Sequence, residues 1–244
     1  MQSEIEQLQA MIDQSKHLVF FGGAGVSTES GIPDFRSSKG LYMQDSGYQV
    51  SAEEIISHSF YEQHPKIFFE FYFNNLVYPD AKPNPCHQFL ADYEHSGHDV
   101  QIVTQNIDEL HQQAGSQHVF ELHGNVYRNY CEAHQHFYRY EDLELDEDGI
   151  PRCSEDHSIV KPDVVLYQEA LNEQEILGAV RAIEHADVLI VAGTSLSVYP
   201  AAGLLNYFRG EELVVINQSN LPLHRENLLT IKAKVGDVFS QLSV

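Results

Sequence analysis

The chain has 244 residues, 43% of them hydrophobic, enough to bury the core of one large domain or of a domain carrying a small insert. Lys and Arg total 14 against 36 Asp and Glu, a formal net charge of −22 with histidine neutral; this argues against a nucleic-acid binder, which needs basic groups to neutralise phosphates. Three cysteines make no disulfide framework and no apolar run is long enough to span a bilayer, so no membrane partner and a cytoplasmic location are expected.

Ile5, Leu8 and Ile12 stand at helical spacing in an acidic, polar first segment, which is expected to be neither a signal nor a transit peptide. His17–Phe21 reads as a strand buried on both faces and runs into Gly22-Gly23-Ala24-Gly25-Val26-Ser27-Thr28. Small residues there let a diphosphate approach the backbone, and the amides opening the next helix favour its charge. Only part of the dinucleotide fingerprint is present, since Thr28 stands where a third glycine would, so a tight turn without a ligand explains the run nearly as well. Gly31-Ile32-Pro33-Asp34-Phe35-Arg36 then sets a rigid turn, an aromatic ring and a cation beside the cradle.

Residues 37–84 are rich in aromatics (Phe60, Tyr61, Phe68, Phe69, Phe71, Tyr72, Phe73) and read as an inserted helical module with those rings as its core. Val100–Val103 is the next strand, followed by Thr104-Gln105-Asn106-Ile107-Asp108, where capping of the next helix would employ only one of three hydrogen-bonding side chains. A short strand, Val119–Glu121, leads to His123-Gly124, a general-base candidate by its place after a strand. Residues 126–160, with Cys131, Cys153 and a run of acids, suit a small exposed excursion. Strands follow at Val164–Tyr167, Asp187–Val191 and Leu213–Ile216, the second preceded by a helical stripe of Ile176, Val180 and Ile183. Gly193, Thr194 and Ser195 come after one of these strands and Asn217 after the last, placed for a ribose and base or simply for turns. The alternation predicts an α/β fold, a doubly wound parallel Rossmann-like sheet over residues 1–36, 85–125 and 161–244, with its ligand beyond the strands' carboxyl ends.

Four motifs in order carry a resemblance: GAGVSTESGIPDFR (Gly23–Arg36), TQNIDELH (Thr104–His111), ELHGN (Glu121–Asn125) and GTSLSVYPAAG (Gly193–Gly203). With PNPCH and KPDVV beside them, the chain from about residue 15 onward resembles the sirtuins, NAD-dependent protein-lysine deacylases, and most of all their bacterial branches. The resemblance implies that Ala24, Gly25 and Thr28 lie on the NAD phosphates and adjoining ribose, with Phe35 and Arg36 on a mobile cofactor loop. Gln105 and Asn106 would contact the nicotinamide ribose, Ile107 and Asp108 the carboxamide, and Gly193, Thr194, Ser195 and Asn217 the adenosine half, with a backbone contact near Val235. His123 would be the general base and Asn106 its catalytic companion, acting on acyl-lysine proteins or peptides to give nicotinamide, free lysine and O-acyl-ADP-ribose. The same scaffold can serve ADP-ribosyl transfer or NAD hydrolysis, or bind NAD as a noncatalytic sensor; the presence of His123 favours the deacylase.

Three departures from the family pattern stand out. The usual zinc ribbon, C-x2-C repeated after 15–20 residues, is here Cys131-Glu132-Ala133-His134 and, 18 residues on, Cys153-Ser154-Glu155-Asp156 with His157 next. Two readings stay open: a structural zinc on Cys131, His134, Cys153 and either Asp156 or His157, or a metal-free hairpin with two leftover cysteines. In the zinc case mixed ligands predict weaker or more pH-dependent binding than four thiolates. Tyr167-Gln168-Glu169 replaces Phe-Gly-Glu on the strand that clasps the acyl-lysine peptide. Phe71-Tyr72-Phe73-Asn74-Asn75 lacks the Tyr-x-x-Arg of relatives that take acidic acyl groups, so acetyl and other neutral acyl groups are favoured.

Overall fold

Four runs of branched and aromatic residues lie side by side in the computed structural model with almost no contact to solvent, as strands covered on both faces must. The structure describes residues 2–37, 40–43, 46–221, 223, 225 and 227–244. In chain order its regular elements are α1 (Gln2–Gln14), β1 (Leu18–Gly22), α2 (Ala52–Ile55), α3 (His58–Gln63), α4 (Pro65–Asn75), α5 (Pro85–His95), β2 (Val100–Thr104), α6 (Leu110–Ala114) and β3 (Val119–Glu121). Then come β4 (Gly124–Cys131), β5 (Phe137–Arg139), β6 (Val160–Val164), α7 (Glu173–His185), β7 (Val188–Ala192), β8 (Glu212–Ile216), β9 (Leu228–Ile231) and α8 (Val235–Phe239).

Six strands form one parallel sheet in the order β3-β2-β1-β7-β8-β9. Side chains alternate across it: Leu18, Phe20, Val188 and Ile190 meet the helices α1, α5 and α8, while Val19, Phe21, Leu189 and Val191 meet α7. The order of winding reverses between β1 and β7, whose last residues, Gly22 and Ala192, pair directly. A crevice for a ligand opens at that reversal.

The second sheet is antiparallel, in the order β5-β4-β6. One apolar cluster joins Phe60, Phe68, Phe69, Phe71 and Tyr72 of the helical segment to Val126, Tyr127, Val164 and Leu166. The two inserted segments therefore share a single core, with the aromatics at its centre.

Two expectations on the strands need correction. The run Val164–Tyr167 is not a strand of the parallel sheet: β6 ends at Val164 and belongs to the antiparallel sheet. Its alternation, with Val160, Pro162 and Val164 buried and Lys161 and Asp163 half-buried, is that of a sheet covered on one face. The sixth parallel strand is instead β9, which sequence periodicity passed over because it is a short edge strand with Thr230 facing solvent.

A salt-bridged knot fastens the two sheets where β3 gives way to β4. Arg128 of β4 bonds Glu121 of β3 and, at 2.8 Å, Asp163 of β6, while Asn125 donates to Glu121 at 2.8 Å. Gly124 turns the chain there with φ +79, and a Cβ on it would lie 1.8 Å from the carbonyl oxygen of Asp163. Gly124→Ala is therefore expected to cost roughly 3 kcal/mol of stability from the strained φ and the clash with backbone, read as a lower urea midpoint; a midpoint equal to that of the parent would refute this account of the turn.

Candidate active site

The turns that leave β1 and β7 touch each other at the reversal. Gly23 N donates to Ala192 O at 3.1 Å and Gly25 N to Gly193 O at 2.7 Å. A Cβ on Gly25 would stand 2.8 Å from Gly193 Cα, and one on Gly193 (φ +58) would stand 2.4 Å from Val26 N. These glycines are small so that the two turns can meet, which supplies the reason the partial fingerprint left open. The chain continues in two single 3-10 turns, Ala24–Val26 and Thr28–Ser30, in place of the expected regular helix, with the Thr28 hydroxyl donating to Gly25 O at 2.9 Å. Ala24, Gly25 and Thr28 are half-buried and line the crevice mouth.

Behind them the segment after β2 is drawn into a polar network. The Ser27 hydroxyl donates to Asp108 Oδ2 at 2.5 Å and accepts from Asn106 Nδ2 at 3.0 Å. Asp108 Oδ1 accepts from Leu110 N at 3.1 Å, so the first amide of α6 is met by Asp108 and not by Thr104 or Asn106. Burial raises the pKa of Asp108, and the bonds from Ser27 and Leu110 oppose the rise by favouring the carboxylate. Ile107 holds the β4 entrance through Val126 N, which donates to its carbonyl at 3.0 Å.

Gln105 ties three strand ends together. Its amide N donates to Gly22 O at 3.0 Å, its Nε2 to the Thr194 hydroxyl at 3.1 Å, and its carbonyl faces His123 Nδ1 at 2.8 Å. A carbonyl only accepts, so Nδ1 of His123 carries the proton and the neutral ring leaves Nε2 as a bare lone pair. Burial lowers the pKa of this imidazole, with the Gln105 carbonyl opposing, which keeps the ring neutral further into the acid range.

At the other end, Asn217 Nδ2 donates to Thr194 O at 3.0 Å and to Ser219, and the hydroxyls of Ser195 and Ser197 bond each other. Val235 opens α8, whose Gly236 N donates to Glu29 of the second 3-10 turn at 2.6 Å. Phe35 packs on the aromatic core with its ring 5.3 Å from that of Tyr42, and Arg36 lies exposed beside it. The structure thus gathers the residues following β1, β2, β3, β7 and β8 along one crevice.

Two members were missed from sequence. Ser27 is buried at the centre of the network, yet in the sequence it is one small residue among several. Asn84, also buried, caps α5 and donates to Val26 O at 2.7 Å and Ser30 Oγ at 3.0 Å, holding the first turn in place. The Asn-Pro of PNPCH was the available signal.

In the small sheet, Cys131, Cys153 and His136 bring one ligand atom each within 4.8 Å of one another. Neither His134 nor His157 belongs to this group. Cys131 N donates to His136 O at 2.9 Å across the hairpin, so residues 132–135 loop outward and carry His134 into solvent. His157, at φ +61, is also exposed. Asp156 is outside the group as well, although both its carboxylate oxygens lie 3.8 Å from Cys131 Sγ.

A family model described as Sir2 family matches residues 23–200. The chain is 51% identical over 243 residues to the NAD-dependent protein deacetylase of Clostridium perfringens, covering 99% of both, and 40% identical over 242 residues to that of Staphylococcus aureus strain Mu50, again covering 99% of both. Among solved structures, a Sir2 protein bound to an acetylated peptide superposes with a TM-score of 0.83 at 32% identity, over 97% of this chain and 96% of that one. A Sir2 variant solved with a deacetylated peptide and 3'-O-acetyl-ADP-ribose gives 0.85 at 33% identity, over 97% and 96%. With the family model spanning most of the chain and the crevice sitting where the four motifs converge, the chain belongs to the Sir2 family.

Proposed function

We propose that the chain is an NAD-dependent deacetylase of protein lysines, accepting acetyl and other neutral acyl groups on peptide segments and releasing nicotinamide, O-acyl-ADP-ribose and free lysine. The observation that carries this reading is the fixed tautomer of His123, a buried base with its lone pair free at Nε2, one residue's reach from the Ser27–Asn106–Asp108 network. A pocket built only to sense NAD has no use for such a base.

The donor set fits NAD. Arg36 and the turn at Ala24, Gly25 and Thr28 suit a diphosphate, and Asn217, Thr194 and Ser195 suit an adenosine. Asp108, an acceptor within a buried network, suits a carboxamide NH2, with Ile107 beside it. When bound, NAD supplies an electrophilic ribose carbon and nicotinamide as a leaving group. Asn106 and Gln105 hold the ribose end, Phe35 screens it from water, and His123 takes a hydroxyl proton at Nε2. Phe71 and Tyr72 are buried in the aromatic core and Asn75 Nδ2 bonds Phe71 O, so this stretch offers no cation to an acidic acyl chain.

The zinc-ribbon-like part fits a structural zinc on Cys131, His136 and Cys153, with Asp156, which lies beside Cys131 but outside that group, drawn in as the fourth ligand. Zinc bonds of about 2.3 Å to sulfur and about 2.0 Å to nitrogen or oxygen place neighbouring ligand atoms roughly 3.3 to 3.8 Å apart on a tetrahedron. Cys153 Sγ stands 3.7 Å from His136 Nδ1, and Cys131 Sγ 3.8 Å from Asp156. Such a metal would brace the hairpin and take no part in the chemistry. None of the three cysteines is paired in a disulfide, which suits a reducing, cytoplasmic setting. Among the described residues no helix is long and apolar enough to cross a membrane.

An acetyl-lysine peptide incubated with the protein is expected to lose its acetyl group only when NAD is present, with O-acetyl-ADP-ribose appearing in the mass spectrum. NAD consumed over an intact peptide would replace this reading with glycohydrolase or ADP-ribosyl transfer chemistry. His123→Ala should lower turnover about a hundredfold or more, the usual scale for a lost general base, while NAD affinity holds. Because the working form of His123 is neutral and burial lowers its pKa, the acid limb of kcat/KM should fall below the ordinary imidazole value of 6.5; a limb above that value would contradict the burial argument. Elemental analysis of protein purified without a histidine tag should find about one zinc per chain. His136→Ala should release it and His134→Ala should keep it; the reverse pattern would restore the sequence-based ligand set.

A further inference from the structure

We propose that the hydroxyl of Tyr167 is a positioning group that links the segment after β6, which would clasp the acyl-lysine peptide, to the cofactor loop, so that occupancy of one site raises affinity at the other. The inference rests on the deacetylase reading, which assigns those two segments their ligands.

The main chain at Tyr167 is held from both sides. Its N donates to Ile56 O at 3.1 Å and its carbonyl accepts from His58 N at 3.0 Å, a parallel bridge that docks the segment on the start of α3. Gln168 adopts φ +76, a left-handed conformation that favours glycine, and is kept there by its side-chain carbonyl, which accepts from Ser59 N at 3.0 Å. Glu169 then accepts from His58 Nδ1 at 2.8 Å, from Leu166 N at 2.9 Å and from Lys161 Nζ at 3.3 Å. The replacement of glycine by Gln168 thus stiffens the segment, because a side chain now secures a backbone that glycine would leave free.

From this rigid support the Tyr167 ring reaches the other way. Its hydroxyl accepts from Arg36 Nη2 at 3.2 Å and shares a hydrogen bond with the Tyr42 hydroxyl at 3.0 Å. Arg36 also lies over the Tyr42 ring, 5.2 Å from its centre, and Tyr42 N donates to Phe35 O at 2.9 Å, which closes the loop on itself. Among the described residues, the ion pair that Arg36 makes is a long one, 4.0 Å to the exposed Glu53. Phenylalanine at position 167 would keep the ring and lose both bonds. A loop already ordered through Tyr167 loses less conformational freedom when NAD binds, and a loop fixed by NAD in turn steadies the peptide segment; that is coupling by shared ordering.

Tyr167→Phe tests this by calorimetric titration of NAD into the protein, free and saturated with an acetyl-lysine peptide. The wild-type protein should bind NAD more tightly when the peptide is present. In Tyr167→Phe that enhancement should shrink by about threefold to tenfold, the equilibrium factor of roughly one net hydrogen bond on an exposed side chain. KM for NAD at saturating peptide should rise by the same factor, kcat should stay within about twofold, and Tm should not move, since the hydroxyl lies on an exposed side chain. Tyr42→Phe should reproduce part of the loss, and the double variant should fall short of the sum, as contacting groups do. An enhancement equal in the wild type and Tyr167→Phe overturns the proposal while leaving the deacetylase reading intact. A wild-type protein that neither binds nor consumes NAD overturns both.

Discussion

The contact of two glycine turns, Gly25 N to Gly193 O at 2.7 Å, governs the geometry of everything around it. It occurs because β1 and β7 are parallel neighbours at the point where the winding reverses, so their connections leave in opposite directions and expose a crevice between them. Any side chain on either glycine would push the turns apart. With them in contact, Gln105 can reach Gly22 and Thr194 at once, and the ends of four neighbouring strands become one polar surface.

That surface is demanding to build. A carboxylate buried at Asp108 is unfavourable unless hydrogen bonds offset its desolvation, and Ser27 and Leu110 N supply them. His123 is treated in the opposite way: its buried ring receives a carbonyl at Nδ1 and remains neutral. One crevice therefore holds a carboxyl whose pKa burial raises and an imidazole whose pKa burial lowers, each opposed by the hydrogen bonds it makes.

The second sheet and the helical segment act as one body. Aromatic rings from α3 and α4 fill the core beneath β4 and β6, and the same body carries Phe35, Tyr42 and Leu166 at its edge. It is anchored to the parallel sheet through Arg128, Glu121 and Asp163, directly beside His123. The base thus lies at the seam between the two bodies, and so does Tyr167, which docks on α3 while its hydroxyl meets Arg36.

Local pattern was enough to read the buried parallel strands β1, β2, β7 and β8, the turns that follow them, and the placing of His123, Asn106 and Asp108 at strand ends, because an apolar run bounded by glycine and polar residues has few other uses. Pattern could not tell which sheet the run ending at Tyr167 joins, since an apolar segment looks the same whether a helix or a second sheet covers it. Nor could it tell His136 from His134 as the neighbour of Cys131, because that choice depends on how many residues the hairpin turn throws outward. Ser27 and the Tyr167 hydroxyl gained their partners only through residues 81 and 131 positions away in the chain. The sequence by itself determined the four central parallel strands and the chemical groups at their ends; which of those groups meet was decided by tertiary packing, because hydrogen bonds between distant segments depend on distances in space that no spacing along the chain records.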